Sequence, residues 1–232
     1  MSLAGLQGRV MLGDRVLVEA LDLRLDRGWT CLLGASGAGK STLLRLLAGL
    51  PTAARLEGTR HAPALIGWMA QSDLLQPRLS VLGNLRLMAR LRGESLPPVR
   101  AKALLAAVGL AGRGAAYPAD LSGGERQRLA LARTLAEDAP LVALDEPFSA
   151  LDVPTRAMMH DLAHARLAGR AVVMVTHDPQ EALRLGDRIL LVRAGRLEEL
   201  PALAGPHPVD LGDPALARAA AALVGQMRGA VA

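Results

Sequence analysis

The chain has 232 residues, a net charge of +5 and 51% hydrophobic residues, enough for one substantial core. No apolar run reaches the roughly 20 residues that span a bilayer, Met1–Arg9 lacks the layout of a secretory signal, and a lone Cys31 excludes an internal disulfide. The 25 arginines are spread along the chain without a dense basic run, so nucleic acid is not an expected partner; a soluble protein is expected, which at a membrane would dock onto a partner.

The first strands are Leu6–Leu12 and Arg15–Val18, on either side of the hairpin signal Gly13-Asp14. Leu21–Leu25 alternates with period two, as a half-buried strand should. Trp29–Leu33 is a short apolar strand feeding a glycine-rich loop, and a helix follows from about Lys40 to Ala48, ended by Gly49 and Pro51. Residues 51–64 read as loop. Leu65–Ala70 is an apolar strand that stops at Gln71.

From Asp73 to Gly114 the pattern turns helical. Leu82, Leu85, Met88, Ala89 and Arg92 lie at three-and-four spacing, and Pro97-Pro98 opens a second helix running to about Val108. A further helix spans Gly123 to Ala136. Two strand–helix pairings and a further strand come next, with strands at Leu141–Leu144, Ala171–Thr176 and Ile189–Val192, helices at Val153–Leu167 and Pro179–Leu185, and a turn at Gly195. Such alternation predicts a parallel sheet with helices on its faces. Asp213-Pro214 reads as the start of an Ala-rich helix running toward Gly229.

Gly34-Ala35-Ser36-Gly37-Ala38-Gly39-Lys40-Ser41-Thr42 lies between a strand and a helix, the context in which such a loop binds phosphate. Its glycines let backbone N–H groups turn toward a β-phosphate, and the helix N-terminus adds a favourable dipole. Lys40 is expected to reach the β- and γ-phosphates, Ser41 to ligate Mg²⁺ and Thr42 to bond the α-phosphate. The chain has only two lysines, Lys40 and Lys102. A compact ammonium suits terminal phosphates better than a planar guanidinium does. Leu141–Leu144 ends in Asp145 and Glu146, at the edge where ligands sit in open parallel sheets. Asp145 is expected to hold Mg²⁺ and Glu146 to polarise an attacking water.

Leu121-Ser-Gly-Gly-Glu-Arg-Gln-Arg128 resembles the signature of ABC-type ATPases, and the chain resembles ABC-transporter nucleotide-binding subunits over nearly its whole length. The resemblance implies an α/β P-loop NTPase fold: one ABC ATPase domain over residues 1–232, with an N-terminal antiparallel β-region and a helical subdomain inserted at about 73–120. It implies that Gln71 senses Mg²⁺ and the γ-phosphate and that Ser122, Gly123 and Gly124 contact ATP held by an opposite protomer. Asp152, in Ser149-Ala-Leu-Asp152, falls in the D-loop, and His177, in Val175-Thr-His-Asp178, is the switch histidine. Catalysis is thereby assigned to Glu146, His177 and Lys40, and ATP binding to residues 34–42 and Gln71. Ser41, Gln71 and Asp145 are assigned to the metal.

A homodimer or a paired ATPase subunit would close head to tail around two ATP molecules. An integral membrane permease would dock near residues 72–92, placing the protein peripherally on the cytoplasmic face of the inner membrane. The segments Trp68–Leu75 and Asp145–Arg156 are similar to the nitrate, sulfonate and taurine importer branch and to the thiamine-precursor pyrimidine branch. An importer would add an extracytoplasmic solute-binding protein. The alternatives are an exporter of lipid, lipoprotein or haem, and a non-transport clamp acting on soluble partners. Two features depart from the family pattern: Leu12 stands where an aromatic residue usually stacks on adenine, and the stretch from Lys40 to Gln71 is short, so that the resemblance makes residues 51–64 a trimmed antiparallel β-region.

Overall fold

The computed structural model describes residues 2–228. Two sheets share one helix between them. The first is antiparallel, in the order β2-β1-β4, from β1 (Ala4–Leu12), β2 (Arg15–Leu25) and β4 (Ala54–His61). The second has six strands in the order β5-β6-β7-β3-β8-β9: β5 (Ile66–Met69), β6 (Leu141–Asp145), β7 (Ala171–Thr176), β3 (Gly28–Leu33), β8 (Arg188–Arg193) and β9 (Arg196–Leu200). All of its pairings are parallel except that of β9, which returns antiparallel along β8. Every residue of β6 and β7 is buried, as the central strands of a sheet covered on both faces must be.

Helix α1 (Lys40–Ala48) fills the gap between the sheets. Its Leu43, Leu44 and Leu47 are buried with Leu6, Leu23 and Leu25 of the first sheet and Leu32, Val173 and Val175 of the second. Gly49, left-handed at φ 68°, ends the helix and donates its N–H to Leu46 O. The opposite face of the second sheet packs against α4 (Gly123–Leu135), α5 (Val153–Arg166), α6 (Pro179–Leu185) and α7 (Pro214–Arg228) around Phe148, Leu144 and Met174. Helices α2 (Val81–Leu91) and α3 (Pro98–Ala107) extend this second core away from the sheet.

Residues 51–64 are the short antiparallel β-region that the resemblance implies and not loop: Ala54–His61 forms β4 and pairs with β1 along its whole length. The strand was hidden because Arg55, Glu57, Gly58, Thr59, Arg60 and His61 are exposed, which leaves almost no apolar alternation to detect. Residues 73–80 are not helical either. Pro77 interrupts the segment, and α2 begins only after Ser80, whose hydroxyl accepts the Gly83 N–H at 3.1 Å. The strand Arg196–Leu200, of which Arg196, Glu198 and Glu199 are exposed and only Leu200 is buried, carries little apolar pattern and was missed. The expected end of the last helix near Gly229 lies outside the described residues.

Candidate active site

The phosphate loop connects β3 to α1. Gly34, Gly37 and Gly39 have φ values of 154°, 79° and 97°, a region that L side chains rarely adopt. At Gly34 a Cβ would also stand 2.6 Å from Val192 O, so strand β8 passes too close for any side chain. Lys40 folds back over the loop and donates to Gly34 O and Ala35 O, each at 2.8 Å. Burial lowers its pKa from the ordinary lysine value, and the nearby Glu146 and Asp145 charges oppose that shift. The ammonium is therefore poorly solvated and would gain from an anionic partner.

Across the loop, Ser41 Oγ donates to Asp145 Oδ1 at 2.8 Å. Burial pushes the Asp145 carboxyl above its usual range, with the Ser41 hydrogen bond opposing and the Glu146 charge adding to the shift. Glu146 follows with φ 48°, uncommon for a residue with a Cβ. Three contacts hold it there. Its N–H donates to Val175 O at 3.0 Å, and its carbonyl accepts from Ser149 Oγ and from Gln127 Nε2, both at 3.1 Å. Its carboxylate lies between two side chains, with His177 Nδ1 3.2 Å from Oε1 and Gln71 Nε2 3.4 Å from Oε2.

A cleft of about 270 Å³ lies over these groups. Its phosphate end is lined by Ser36, Gly37, Gly39, Lys40, Ser41 and Thr42, with Gln71 and Glu146 opposite and Leu12 and Leu17 at its other margin. The fold thus brings together the glycine loop, Gln71, Asp145, Glu146 and His177 from four separate strand ends. Larger cavities exist, but one lies on the antiparallel sheet and one between α2 and α3, neither near this chemistry.

Ser122, Gly123, Gly124 and Asp152 do not line the cleft. Ser122 caps α4: its Oγ accepts the Glu125 N–H at 3.2 Å, and its own N–H donates to Glu125 Oε2 at 2.8 Å. Asp152 caps α5, accepting from the Thr155 N–H at 2.9 Å and the Thr155 hydroxyl at 3.1 Å. Gln127 was not anticipated. Its amide bonds Glu146 O, Ser149 Oγ and the Ala150 N–H, tying the signature helix to the loop after Glu146. Gln127 is one of three polar side chains buried on this helix, with Arg133 and Thr134. Leu17, the second leucine of the cleft, was also missed.

The donor chemistry fits Mg²⁺. Ser41 and Asp145 present hard oxygens already within hydrogen-bond distance of each other. Among the described residues no three His, Cys, Asp or Glu side chains form a metal cage, and Mg²⁺ bound with substrate phosphates needs only one or two carboxylates.

The model of the ABC transporter family matches residues 18–149. An ABC transporter ATP-binding protein of Haemophilus influenzae is 46% identical over 185 residues, covering 78% of this chain and 77% of that protein. Aliphatic sulfonates import ATP-binding proteins of Paracoccus denitrificans and Delftia acidovorans are each 44% identical. They align over 200 and 216 residues, or 84% and 91% of this chain and 81% and 88% of theirs. A solved ABC transporter in an inward-facing conformation superposes with a TM-score of 0.70 at 25% identity, covering 86% of this chain and 82% of its own. The chain belongs to the ABC transporter family, as an ATP-binding protein of the kind that hydrolyses ATP.

Proposed function

We propose that the chain is the motor subunit of a membrane importer, working as a head-to-tail pair that closes on ATP and opens on hydrolysis. The observation that carries this is the convergence of Lys40, Ser41, Gln71 and Glu146 on one cleft, with Asp145 bonded to Ser41 and His177 beside the Glu146 carboxylate. Residues 34–42 bind the phosphates, with Lys40 at the β/γ end. Ser41, Asp145 and Gln71 hold Mg²⁺, which neutralises the phosphate oxygens when bound. Glu146 orients and polarises the attacking water. The water oxygen joins the γ-phosphorus, the bond to the ADP oxygen breaks, and His177 keeps the carboxylate in place.

Ser122, Gly123 and Gly124 start a helix, and an N-terminal turn is a natural phosphate cradle. One cradle in cis already serves each nucleotide, so the second serves the partner's ATP, with Asp152 beside the contact. The chain is read as one ABC ATPase domain, with residues 73–120 as its helical subdomain. The permease docks near residues 72–92, on the cytoplasmic face of the membrane, and an extracytoplasmic protein delivers the solute. The similar import proteins favour aliphatic sulfonates as the solute class. No described helix is long and apolar enough to cross a membrane, which agrees with a peripheral subunit.

The test is recovery of the protein from native membranes in mild detergent, with its companions identified by mass spectrometry. A polytopic permease with a solute-binding protein is the expected result. A permease alone would favour export, and soluble partners alone would overturn the transport reading.

A further inference from the structure

The hydrolysis chemistry leaves one titratable pair of the core unused. His160 of α5 is 4% exposed and Glu181 of α6 is 6% exposed. A carboxylate only accepts, so His160 Nε2 carries a proton and donates a hydrogen bond to Glu181 Oε1 at 3.0 Å. Among the described residues no other side chain bonds that carboxylate, and His160 Nδ1 is buried with no partner. Two apolar side chains would fill the space without burying a carboxyl group or orphaning a nitrogen, so packing alone does not account for the pair.

Its place in the fold does. Glu181 lies in the first turn of α6, which Asp178 caps directly after His177. Asp178 Oδ1 accepts the Gln180 N–H at 2.9 Å and the Glu181 N–H at 3.4 Å, so α6 and the His177 loop are held as one unit. Phe148 lies two residues beyond Glu146 and is fully buried. Its ring meets that of His160 in a T-shaped contact, with centroids 4.5 Å apart. One imidazole thus touches the segment that follows each member of the Glu146–His177 pair. Glu181 also lines a pocket of about 60 Å³ together with Glu146 and His177. The cations on the same two helices are engaged elsewhere, Arg156 with Asp178 and Leu151 O, Arg184 with Asp161 and Val209 O.

We propose that His160 and Glu181 are positioning residues for ATP hydrolysis, holding the Glu146 and His177 loops at the separation the reaction needs. This rests on the ATPase reading and adds two residues to it. Strands β6 and β7 fix the backbone only as far as Asp145 and Thr176. Beyond them the 3.2 Å approach of His177 to Glu146 depends on how α5 and α6 are tied. A misplacement of about 1 Å at reacting groups costs on the order of 10²-fold in rate. Neither member of the pair lines the phosphate cleft, so breaking it should lower kcat and spare nucleotide affinity.

The experiment uses the purified full chain and three variants. Phosphate release at saturating ATP and Mg²⁺ gives kcat, calorimetry gives ATP affinity, and chemical denaturation gives stability. His160→Phe keeps a ring against Phe148 but strands the Glu181 carboxyl; kcat should fall by about 10- to 100-fold with ATP affinity unchanged. Glu181→Gln still accepts the Nε2 bond, so its turnover should stay close to that of the wild type. His160→Phe combined with Glu181→Leu replaces the pair by apolar contact, which packs without setting a direction. This double variant should regain the denaturation midpoint lost in His160→Phe but not kcat. Wild-type kcat in the double variant would reduce the pair to packing and overturn the proposal. So would a His160→Phe protein whose loss lies in ATP affinity with kcat intact. A wild-type protein that binds ATP but releases no phosphate would instead overturn the ATPase reading itself.

Discussion

Glu146 Oε1 lies 3.2 Å from His177 Nδ1, at the end of adjacent parallel strands β6 and β7. The glutamate reaches this position through a left-handed backbone conformation and is anchored by Val175, Ser149 and Gln127. A carboxylate held so firmly, yet leaving the rest of its cleft open, is suited to orient a water molecule.

Glu146→Gln keeps the shape and the bond to the His177 side chain but removes the charge. It should lower turnover by about 10²-fold or more while leaving ATP binding within a few-fold of the wild type. ATP should then hold the paired state long enough to resolve by size-exclusion chromatography. Near-normal phosphate release from this variant would remove Glu146 from the catalytic assignment.

Ser122 has two proposed duties that one pair of substitutions separates. As the cap of α4 it accepts the Glu125 N–H, so Ser122→Ala should cost about 0.5–2 kcal/mol of stability. Aspartate caps as well as serine, so Ser122→Asp should unfold near the wild-type midpoint. It would, however, place a carboxylate where the partner's phosphate is proposed to sit. Turnover should fall in Ser122→Asp without loss of fold. An active Ser122→Asp protein would show that the serine serves the helix alone.

The segment after Gln71 depends on Arg133, which is only 7% exposed. Its guanidinium donates to Asp73 O at 2.8 Å and Leu74 O at 2.9 Å. Arg126 adds a bond to the Asp73 carboxylate at 3.1 Å. Arg133→Met fills similar space but leaves both carbonyls without their donors, at a cost of about 1–3 kcal/mol. Chemical denaturation measures the loss. Tryptic cleavage at the exposed Arg78 should accelerate alongside it, and an unchanged cleavage rate would mean that the segment is held by other contacts.

The parts of this molecule that announced themselves in the sequence are those whose chemistry is local. The glycine loop must sit between a strand and a helix, and Asp145-Glu146 must follow a buried strand, so composition and order disclosed both. Burial of β6, β7 and α1 likewise left uninterrupted or periodic apolar runs. Strand β4 lacked such a pattern because its residues face solvent on the outer edge of a three-stranded sheet, where pairing with β1 alone makes it a strand. The 73–80 segment looked helical because its leucines are spaced like those of α2. Its actual path is set by long-range bonds from Arg133 and Arg126, together with Asn84, which bonds the Gln76 N–H and the Gln76, Leu79 and Ser80 carbonyls. No local window contains Arg126 or Arg133, which lie more than 50 residues from the carbonyls and carboxylate they bond. Gln127 and Leu17 were overlooked for the same reason, since each acquires its role only from what the fold sets beside it.

Asp145 gives the site a pH signature whose sign can be stated. Burial raises its folded pKa above the ordinary 3.8, so the folded protein binds more protons than the unfolded chain between those two values. Stability without nucleotide must then fall as pH rises through that window, and level off above the folded pKa. Other groups titrate nearby with the opposite sign, among them Asp138, held low by Arg100 and Arg170. The useful quantity is therefore the difference between wild type and Asp145→Asn, which cancels them. Asparagine can still accept the Ser41 hydroxyl but cannot ionise. As pH rises above the ordinary aspartate value, the wild-type midpoint should decline relative to the variant until the folded carboxyl has ionised. Mg²⁺ with ATP should reverse the trend for the wild type only, because a bound cation favours the ionised carboxylate that burial disfavours. Parallel pH profiles for the two proteins, with and without Mg²⁺ and ATP, would separate Asp145 from the metal and from the buried charge alike.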